Sequence, residues 1–430
     1  MRPPWIRGLS ASRAVGRHFR GNLSRPFTTL GIETSCDDTC VAVLTTDPTR
    51  RGAFLPFNAK RTSDNRRFRG VFPPTALDGH ASSLASLVSS ALSSCPGSEN
   101  LRPDLVAVTR GPGMSANLAE GLSLAKGLSV AWSVPLIGVN HMQAHALTPR
   151  LVDALNANTN NTDPNEPKFP FLTLLVSGGH TQLVHSRSLT DHRILANSSN
   201  IAIGDALDKC ARLILPEDVL ASCPDVMYGR ALEAFAFPDP EDVSAYVPPV
   251  KRADEIEPYT SPHGWTLHPP LAGTRRLAYE FSALQSHVQT VFAKQPDLST
   301  LQRRALAIDI MRLAFEHLVG RVLLALGSDE QLSRDVSTLV VSGGVACNKF
   351  LVKILRSMLD VRGYAHIGVV TPPVELCTDN AAMIAWTGWE MYRAGYESAL
   401  DVRVLKKWSV DPTAEDGGIL GAEGWIRKEK

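Results

Sequence analysis

Two stretches of this sequence begin in the same way. Thr29-Leu-Gly-Ile-Glu-Thr-Ser leads into Cys40-Val-Ala-Val-Leu, and Phe171-Leu-Thr-Leu-Leu-Val-Ser-Gly-Gly-His leads into Thr181-Gln-Leu-Val. Each is an apolar, β-rich run bent by a turn of small residues, so each reads as a hairpin that opens a domain. Strands and helices then alternate after both. The first hairpin is followed by a helical pattern from Leu84 to Leu92, a buried strand in Asp104-Leu-Val-Ala-Val-Thr and a Gly111-Pro-Gly-Met-Ser turn. A helix from about Asn117 to Trp132 and a strand in Pro135-Leu-Ile-Gly-Val come next. The second is followed by helices from roughly Ala278 to Phe292 and Leu301 to Leu326, a strand in Ser337-Thr-Leu-Val-Val-Ser, and helices beginning near Asn348 and Asp379. Each period change marks an α/β layer, so the chain predicts a duplicated α/β unit.

Such a duplication points to an α/β fold of the actin-like ATPase (ASKHA) kind, two RNase H-like lobes around a central cleft. The 430 residues suit two lobes with extensions. Residues 29–154 make the expected N-terminal lobe, and the polar run 155–169 makes the linker. Residues 170–400 make the C-terminal lobe, with a Pro- and charge-rich surface insertion at 238–270, and 401–430 form an extension. Residues 1–28 carry Arg2, Arg7, Arg13, Arg17, Arg20 and Arg25 among Ser and Thr, and the first acidic residue of the chain is Glu33. That pattern is expected of a mitochondrial transit peptide, with a disordered basic tail as the other reading, and the mitochondrial matrix is the expected location.

The seven cysteines are scattered and never spaced C-x-x-C, which argues against a disulfide framework. The most apolar stretch, Gly121 to Val139, is interrupted by Lys126 and Pro135, so no membrane span is expected. Net charge is +1, so a nucleic-acid partner would have to be met by a local basic patch. Residues 50–70 carry seven Lys and Arg and read as a basic loop, either solvated surface or an RNA contact.

His141 and His145 sit at i, i+4 and share one helical face, the spacing two metal ligands need. Packing histidines would explain the pair equally well. Position favours the metal, since the pair directly follows a strand, where α/β sites collect their ligands. Met142 stands where a zinc-protease helix requires its general-base glutamate, and Gln143 after it supplies no carboxylate, which argues against that reading. Ser177-Gly178-Gly179 and Ser342-Gly343-Gly344 repeat one strand–Ser–Gly–Gly pattern; glycines there let backbone N–H groups approach an anion closely. Asn348 is either an N-cap or a nucleotide contact. Asp208 is either a substrate-facing carboxylate or the ion-pair partner of Lys209 or Arg212. Asp379 reads equally as an N-cap, and Glu33 lies in the first hairpin turn.

Taken together, these strings resemble one family. Gly31-Ile-Glu-Thr-Ser-Cys-Asp-Asp-Thr, Asn140-His-Met-x-x-His, Leu174-Leu-Val-Ser-Gly-Gly-His-Thr, Asp205-x-x-Asp208-Lys, Ser342-Gly-Gly-Val-x-x-Asn348 and Cys377-Thr-Asp-Asn-x-x-Met-Ile-Ala-Trp are similar to motifs of the tRNA adenosine threonylcarbamoyltransferases. The resemblance runs from about Leu30 to Trp389 and is strongest to the mitochondrial branch. It implies that His141, His145 and Asp379 hold one divalent metal ion per subunit, Zn2+ or Fe2+. It implies further that Leu175, Val176, Ser177, Gly178, Gly179, Asp208, Gly229 and Asn348 contact the donor, L-threonylcarbamoyl-AMP. The implied reaction moves the threonylcarbamoyl group to N6 of the adenosine next to the anticodon in mitochondrial tRNAs reading ANN codons. Glu33 or Asp208 would then accept the amine proton. The implied partners are tRNA and a second copy of the chain in a homodimer, and no membrane. An actin-like ATPase or kinase is the alternative reading, and a metalloprotease the third.

Overall fold

The computed structural model describes residues 26–47, 52–94, 102–157 and 167–428. The expected transit peptide therefore lies outside the described residues, apart from its last three positions, as do Arg50, Arg51, Cys95 and most of the polar linker.

The first sheet is built from β1 (Phe27–Glu33), β2 (Asp38–Thr46), β3 (Ala53–Thr62), β4 (Leu105–Gly111) and β5 (Leu136–Asn140). Its order is β3-β2-β1-β4-β5, with the first three strands antiparallel and β4 and β5 parallel to β1. Helices α1 (Pro73–Ser94), α2 (Ser115–Trp132) and α3 (His141–Asn156) complete the unit. Side chains alternate across the pleat, so neighbouring residues serve opposite faces. Leu30, Ile32, Val41 and Val43 pack with Leu84, Leu87 and Leu122 of α1 and α2. Cys40, Ala42 and Leu44 point the other way, toward Leu147 and Leu151 of α3.

The second sheet repeats the plan with β6 (Phe171–Val176), β7 (Thr181–Ser186), β8 (His192–Ser198), β11 (Ala278–Tyr279), β12 (Thr338–Ser342) and β13 (Gly368–Val370), in the order β11-β8-β7-β6-β12-β13. The hairpin β9 (Tyr259–Thr260) and β10 (Thr266–Leu267) lies between them in sequence. Five helices wrap one face or support its loops: α4 (Ile203–Ile214), α5 (Glu217–Ala221), α6 (Tyr228–Ala236), α7 (Arg252–Ile256) and α8 (Ser282–Lys294). The long α9 (Thr300–Ser328), the short α10 (Glu330–Asp335) and the amphipathic α11 (Lys349–Val361) follow. The run β8-β7-β6-β12-β13 matches β3-β2-β1-β4-β5 strand for strand, so the duplicated α/β fold expected from the sequence is present.

Chain order and packing part company near the C-terminus. After α12 (Val374–Cys377), helix α13 (Ala381–Arg393) lies on the first sheet rather than the second. Ala381, Ala382 and Ala385 join the face formed by Cys40, Ala42 and Leu44, while Met383 and Ile384 meet Leu105, Ala107 and Ile137. The approach is close: a Cβ on Gly31 would come within 2.3 Å of the Ala381 carbonyl oxygen. Beyond it, β14 (Tyr396–Ser398), α14 (Gly418–Gly421) and β15 (Trp425–Arg427) bring Trp408, Val410 and Ile419 against the same sheet. The segment from 381 onward thus joins α3 in covering one face of the N-terminal sheet. Phe171 and Val340 of the second sheet reach the same layer. Helices α3 and α13 therefore form a shared layer between the two sheets.

Two further expectations change. The basic run at 50–70 is not all loop: Ala53–Thr62 is edge strand β3, with Phe57 and Ala59 packed inward and Pro56, Asn58 and Lys60 facing out. The segment 238–270 is anchored, with Trp265 and Leu267 in the core and the Trp265 indole donating to Asp309 at 2.9 Å.

Candidate metal centre and its surroundings

Helix α3 starts at the C-terminal end of β5, and Asn140 fixes its first turn. The Asn140 side-chain oxygen accepts from the N–H groups of Met142 at 2.9 Å and Gln143 at 3.2 Å, a side-chain N-cap. His141 and His145 then project from one face, their ring centroids 4.7 Å apart and their planes at 87°. The start of α13 supplies the third group. Its N-cap is Asn380, whose oxygen accepts from Met383 N–H at 2.9 Å, so Asp379 is not the cap that its position suggests. Freed from that role, Asp379 places Oδ1 at 3.1 Å from His145 Nε2 and 3.4 Å from His141 Nε2. One ligand atom from each of the three lies within 4.8 Å of the others.

The remaining ring nitrogens are held from behind. Glu33 Oε2 is 3.0 Å from His141 Nδ1, with Ser35 Oγ at 3.4 Å, and Ser342 Oγ is 3.3 Å from His145 Nδ1. Glu33 is fully buried; it also accepts from Ser35 N–H at 2.5 Å and from the Thr109 hydroxyl. A carboxylate behind a histidine that faces a metal fixes the ring and its tautomer. Glu33, expected as an acceptor for the substrate's proton, instead sits behind His141, where its oxygens are already engaged.

Electrostatics agree with a cation at this point. Burial works against charge on His141, yet the Asp379 and Glu33 carboxylates hold its pKa well above the usual imidazole value. Burial likewise opposes ionisation of Asp379, and His141 and His145 outweigh it, keeping the carboxyl well below its ordinary range. Three converging donors, three groups behind the ring nitrogens and a strong preference for positive charge fit a divalent ion.

Both Ser-Gly-Gly turns lie beside this cluster, at the C-terminal ends of the adjacent parallel strands β6 and β12. Gly343 has φ +101°, and a Cβ there would lie 2.4 Å from the Val176 carbonyl oxygen, so only glycine allows the two turns to meet. Ser177 N–H donates to His180 O at 2.9 Å, and its hydroxyl accepts from His180 N–H at 3.0 Å. Gly178 and Gly179 are exposed, with open space where a side chain would be. Leu175 and Val176 are buried, so their part in any ligand contact would be through backbone. The sequence marks His180 only as part of a string. Burial, then the neighbouring His141 and His145, push its pKa down to about 4, which places a neutral imidazole near the cluster.

Helix α4 begins against the first turn, where Gly204 N–H donates to Ser177 O at 3.2 Å. It carries Asp208, whose Oδ1 accepts from Gly229 N–H at 2.7 Å, so these two expected site residues are brought together. The ion pair considered for Asp208 does not form: Lys209 pairs with Asp205 at 2.8 Å and Arg212 donates to Arg69 O at 2.6 Å. Burial raises the Asp208 pKa to about 7. Asn348 is an N-cap, accepting from Leu351 N–H at 3.0 Å, and its amide leans on Met311 Sδ at 3.9 Å.

The comparisons with known proteins agree on one family. The family model described as tRNA N6-adenosine threonylcarbamoyltransferase matches residues 57–386. The mitochondrial tRNA N6-adenosine threonylcarbamoyltransferase of Schizosaccharomyces pombe is 37% identical over 419 residues, spanning 94% of this chain and 90% of the relative. The tRNA N6-adenosine threonylcarbamoyltransferase of Brucella ovis is 34% identical over 386 residues, spanning 89% of this chain and 95% of the relative. The paired lobes, the histidine–aspartate cluster and these matches place the chain in the tRNA N6-adenosine threonylcarbamoyltransferase family.

Proposed function

We propose that the protein transfers the threonylcarbamoyl group from L-threonylcarbamoyl-AMP to N6 of the adenosine next to the anticodon of mitochondrial tRNAs reading ANN codons. The observation that carries this reading is the convergence of His141, His145 and Asp379 beside two glycine turns in which Gly178, Gly179 and Gly344 are exposed. In this reading the N6 amine attacks the carbamoyl carbonyl carbon, the bond from that carbon to the AMP phosphate oxygen breaks, and one amine proton is lost.

An exocyclic amine is a weak nucleophile, so positioning of an already activated donor provides most of the rate. In this reading the exposed backbone of Gly178 and Gly179 receives the donor's phosphate, while the Ser177 N–H stays engaged with His180 O, and Asp208 with Gly229 borders the same cleft. A carboxyl with a pKa of about 7 suits Asp208 to take up the amine proton at neutral pH. Glu33 acts one step back, holding His141 in position. One Zn2+ or Fe2+ held by the three ligands would supply Lewis-acid polarisation of donor oxygens. The protein works in the mitochondrial matrix in this reading, which the Arg-rich, acid-free start of the chain and the mitochondrial relative support, and it works there as a homodimer, as the family resemblance implies.

The test mixes purified protein, unmodified ANN-decoding tRNA transcript and L-threonylcarbamoyl-AMP, and reads digested nucleosides by mass spectrometry. Threonylcarbamoyl-adenosine is expected. Unmodified adenosine with intact donor, together with steady ATP hydrolysis when the same protein is given ATP and Mg2+ alone, would favour the kinase or ATPase reading instead.

A further inference from the structure

A chain of net charge +1 that handles RNA needs its positive charge gathered in one place. Among residues 60–69, five are basic (Lys60, Arg61, Arg66, Arg67 and Arg69) and one, Asp64, is acidic. Their surroundings differ in kind from an ordinary solvated face. Phe68 and Phe72 are 38% and 39% exposed, yet their rings stack on each other at 4.1 Å between centroids and 26° between planes. The Arg67 guanidinium lies 4.5 Å from the Phe68 centroid. Exposing two phenylalanines costs free energy that this arrangement does not recover by burial in the chain itself.

The segment is held in place. Asn65 is buried: its oxygen accepts from Phe72 N–H at 3.0 Å, and its amide donates to Ser63 O at 3.1 Å and to Asp37 Oδ2 at 3.4 Å. This clip ties the aromatic pair to the turn that also carries Ser35, which contacts His141.

Its position is at the rim of the site already described. Lys60 Nζ is 3.1 Å from the Thr378 hydroxyl, next to the ligand Asp379. On the other lobe Arg212, one turn after Asp208 on α4, donates to Arg69 O at 2.6 Å. Arg66, Arg69, Arg212, Glu217 and Tyr228 border a cavity of about 170 Å³ between the two. The ion pairs there, Arg69–Glu217 at 3.5 Å and Arg66–Asp64 at 2.7 Å, are exposed and weak enough for a phosphate to displace. Arg61 and Arg67 make no ion pair with any described residue.

We propose that Arg61, Arg67, Phe68 and Phe72, with Arg69 and Arg212 beside them, form the surface on which a tRNA strand docks: the guanidinium groups bind backbone phosphates and the Phe68–Phe72 pair stacks an unpaired base. This assignment rests on the proposed function for its choice of RNA. Base stacking on exposed aromatics beside arginines is how unpaired RNA is recognised.

The experiment measures binding of a fluorescently end-labelled, unmodified tRNA transcript to the full chain by anisotropy, from 50 to 200 mM KCl. With Arg61→Gln and Arg67→Gln together, the log–log salt slope is expected to fall by about 2, one unit per lost phosphate contact. Phe68→Ala is expected to weaken binding roughly 5- to 150-fold, and Phe68→Tyr to restore it. The Arg61, Arg67 and Phe68 side chains are exposed, so wild-type thermal unfolding and metal content are expected in each variant. Wild-type affinity and salt slope in the variants would overturn the assignment. If the wild type modifies tRNA but the variants bind as it does, only this surface fails. If the wild type binds tRNA through this surface and forms no threonylcarbamoyl-adenosine, the reaction assignment fails and the surface stands.

Discussion

At the scale of single residues, the site divides between what spacing reveals and what only folding reveals. His141 and His145 are legible because i, i+4 on a helix is a local geometric fact. Asp379 is separated from His145 by 234 positions, and its position before an apolar helix is explained equally well by capping until the structure gives that task to Asn380. Glu33 is visible in the sequence as a carboxylate in a turn, but its place behind His141 depends on β1 and β5 sharing a sheet through β4. That placement makes a prediction. Glu33→Gln should lower metal affinity about 10- to 100-fold in a chelator competition while the protein stays folded, whereas unchanged affinity would remove Glu33 from its orienting role. Asp208 makes another. Its folded pKa of about 7 lies above the ordinary carboxylate value, so its contribution to stability is fully present below the unfolded pKa and is lost as pH rises through 7. Asp208→Asn should therefore gain on the wild type by about 1–2 kcal/mol between pH 4 and pH 8, discounted for the partial exposure of the group. Urea unfolding at the two pH values measures this, and a constant difference would contradict it.

At the scale of elements, what the sequence conceals is mostly a matter of masking. Strand β3 is hidden because its inward residues Phe57 and Ala59 are interleaved with Pro56, Asn58 and Lys60, and Arg61 follows directly. Helix α13 is legible as a helix, but its partner is not, because an apolar stripe does not say which sheet it will cover. Its small residues give the answer once the fold is known: Ala381 and Ala385 approach Gly31 so closely that a methyl group there has no room. Gly31→Ala should cost about 1–3 kcal/mol in denaturant unfolding and also weaken metal binding, because the displaced helix carries Asp379 at its entrance. Loss of stability with full metal affinity would show that α13 does not position the site. At the other ligand-bearing helix, Asn140→Ala removes a cap that serves two backbone N–H groups and should cost about 0.5–2 kcal/mol. A cost near zero would mean that the first turn of α3 is fixed by other contacts.

At the scale of the whole molecule, the duplication of an α/β unit is readable from the two matching openings, and the family follows from ordered motifs along most of the chain. The shared α3–α13 layer is not readable, since it is made by a helix from beyond the second sheet returning to the first. That layer is why the ligands meet: one helix entering from each half brings two histidines and an aspartate to the ends of the glycine turns. The central claim is that this cluster, with its ion, is where transfer to tRNA occurs. Its most direct measurement is the initial rate of threonylcarbamoyl-adenosine formation by one preparation, first as isolated, then with its metal removed by chelation and verified absent, then reloaded with Zn2+ or Fe2+. The account predicts that the rate falls at least about 100-fold on removal, returns on reloading with one ion per subunit, and fails to return in His145→Ala. Undiminished product formation by the verified metal-free protein would contradict it.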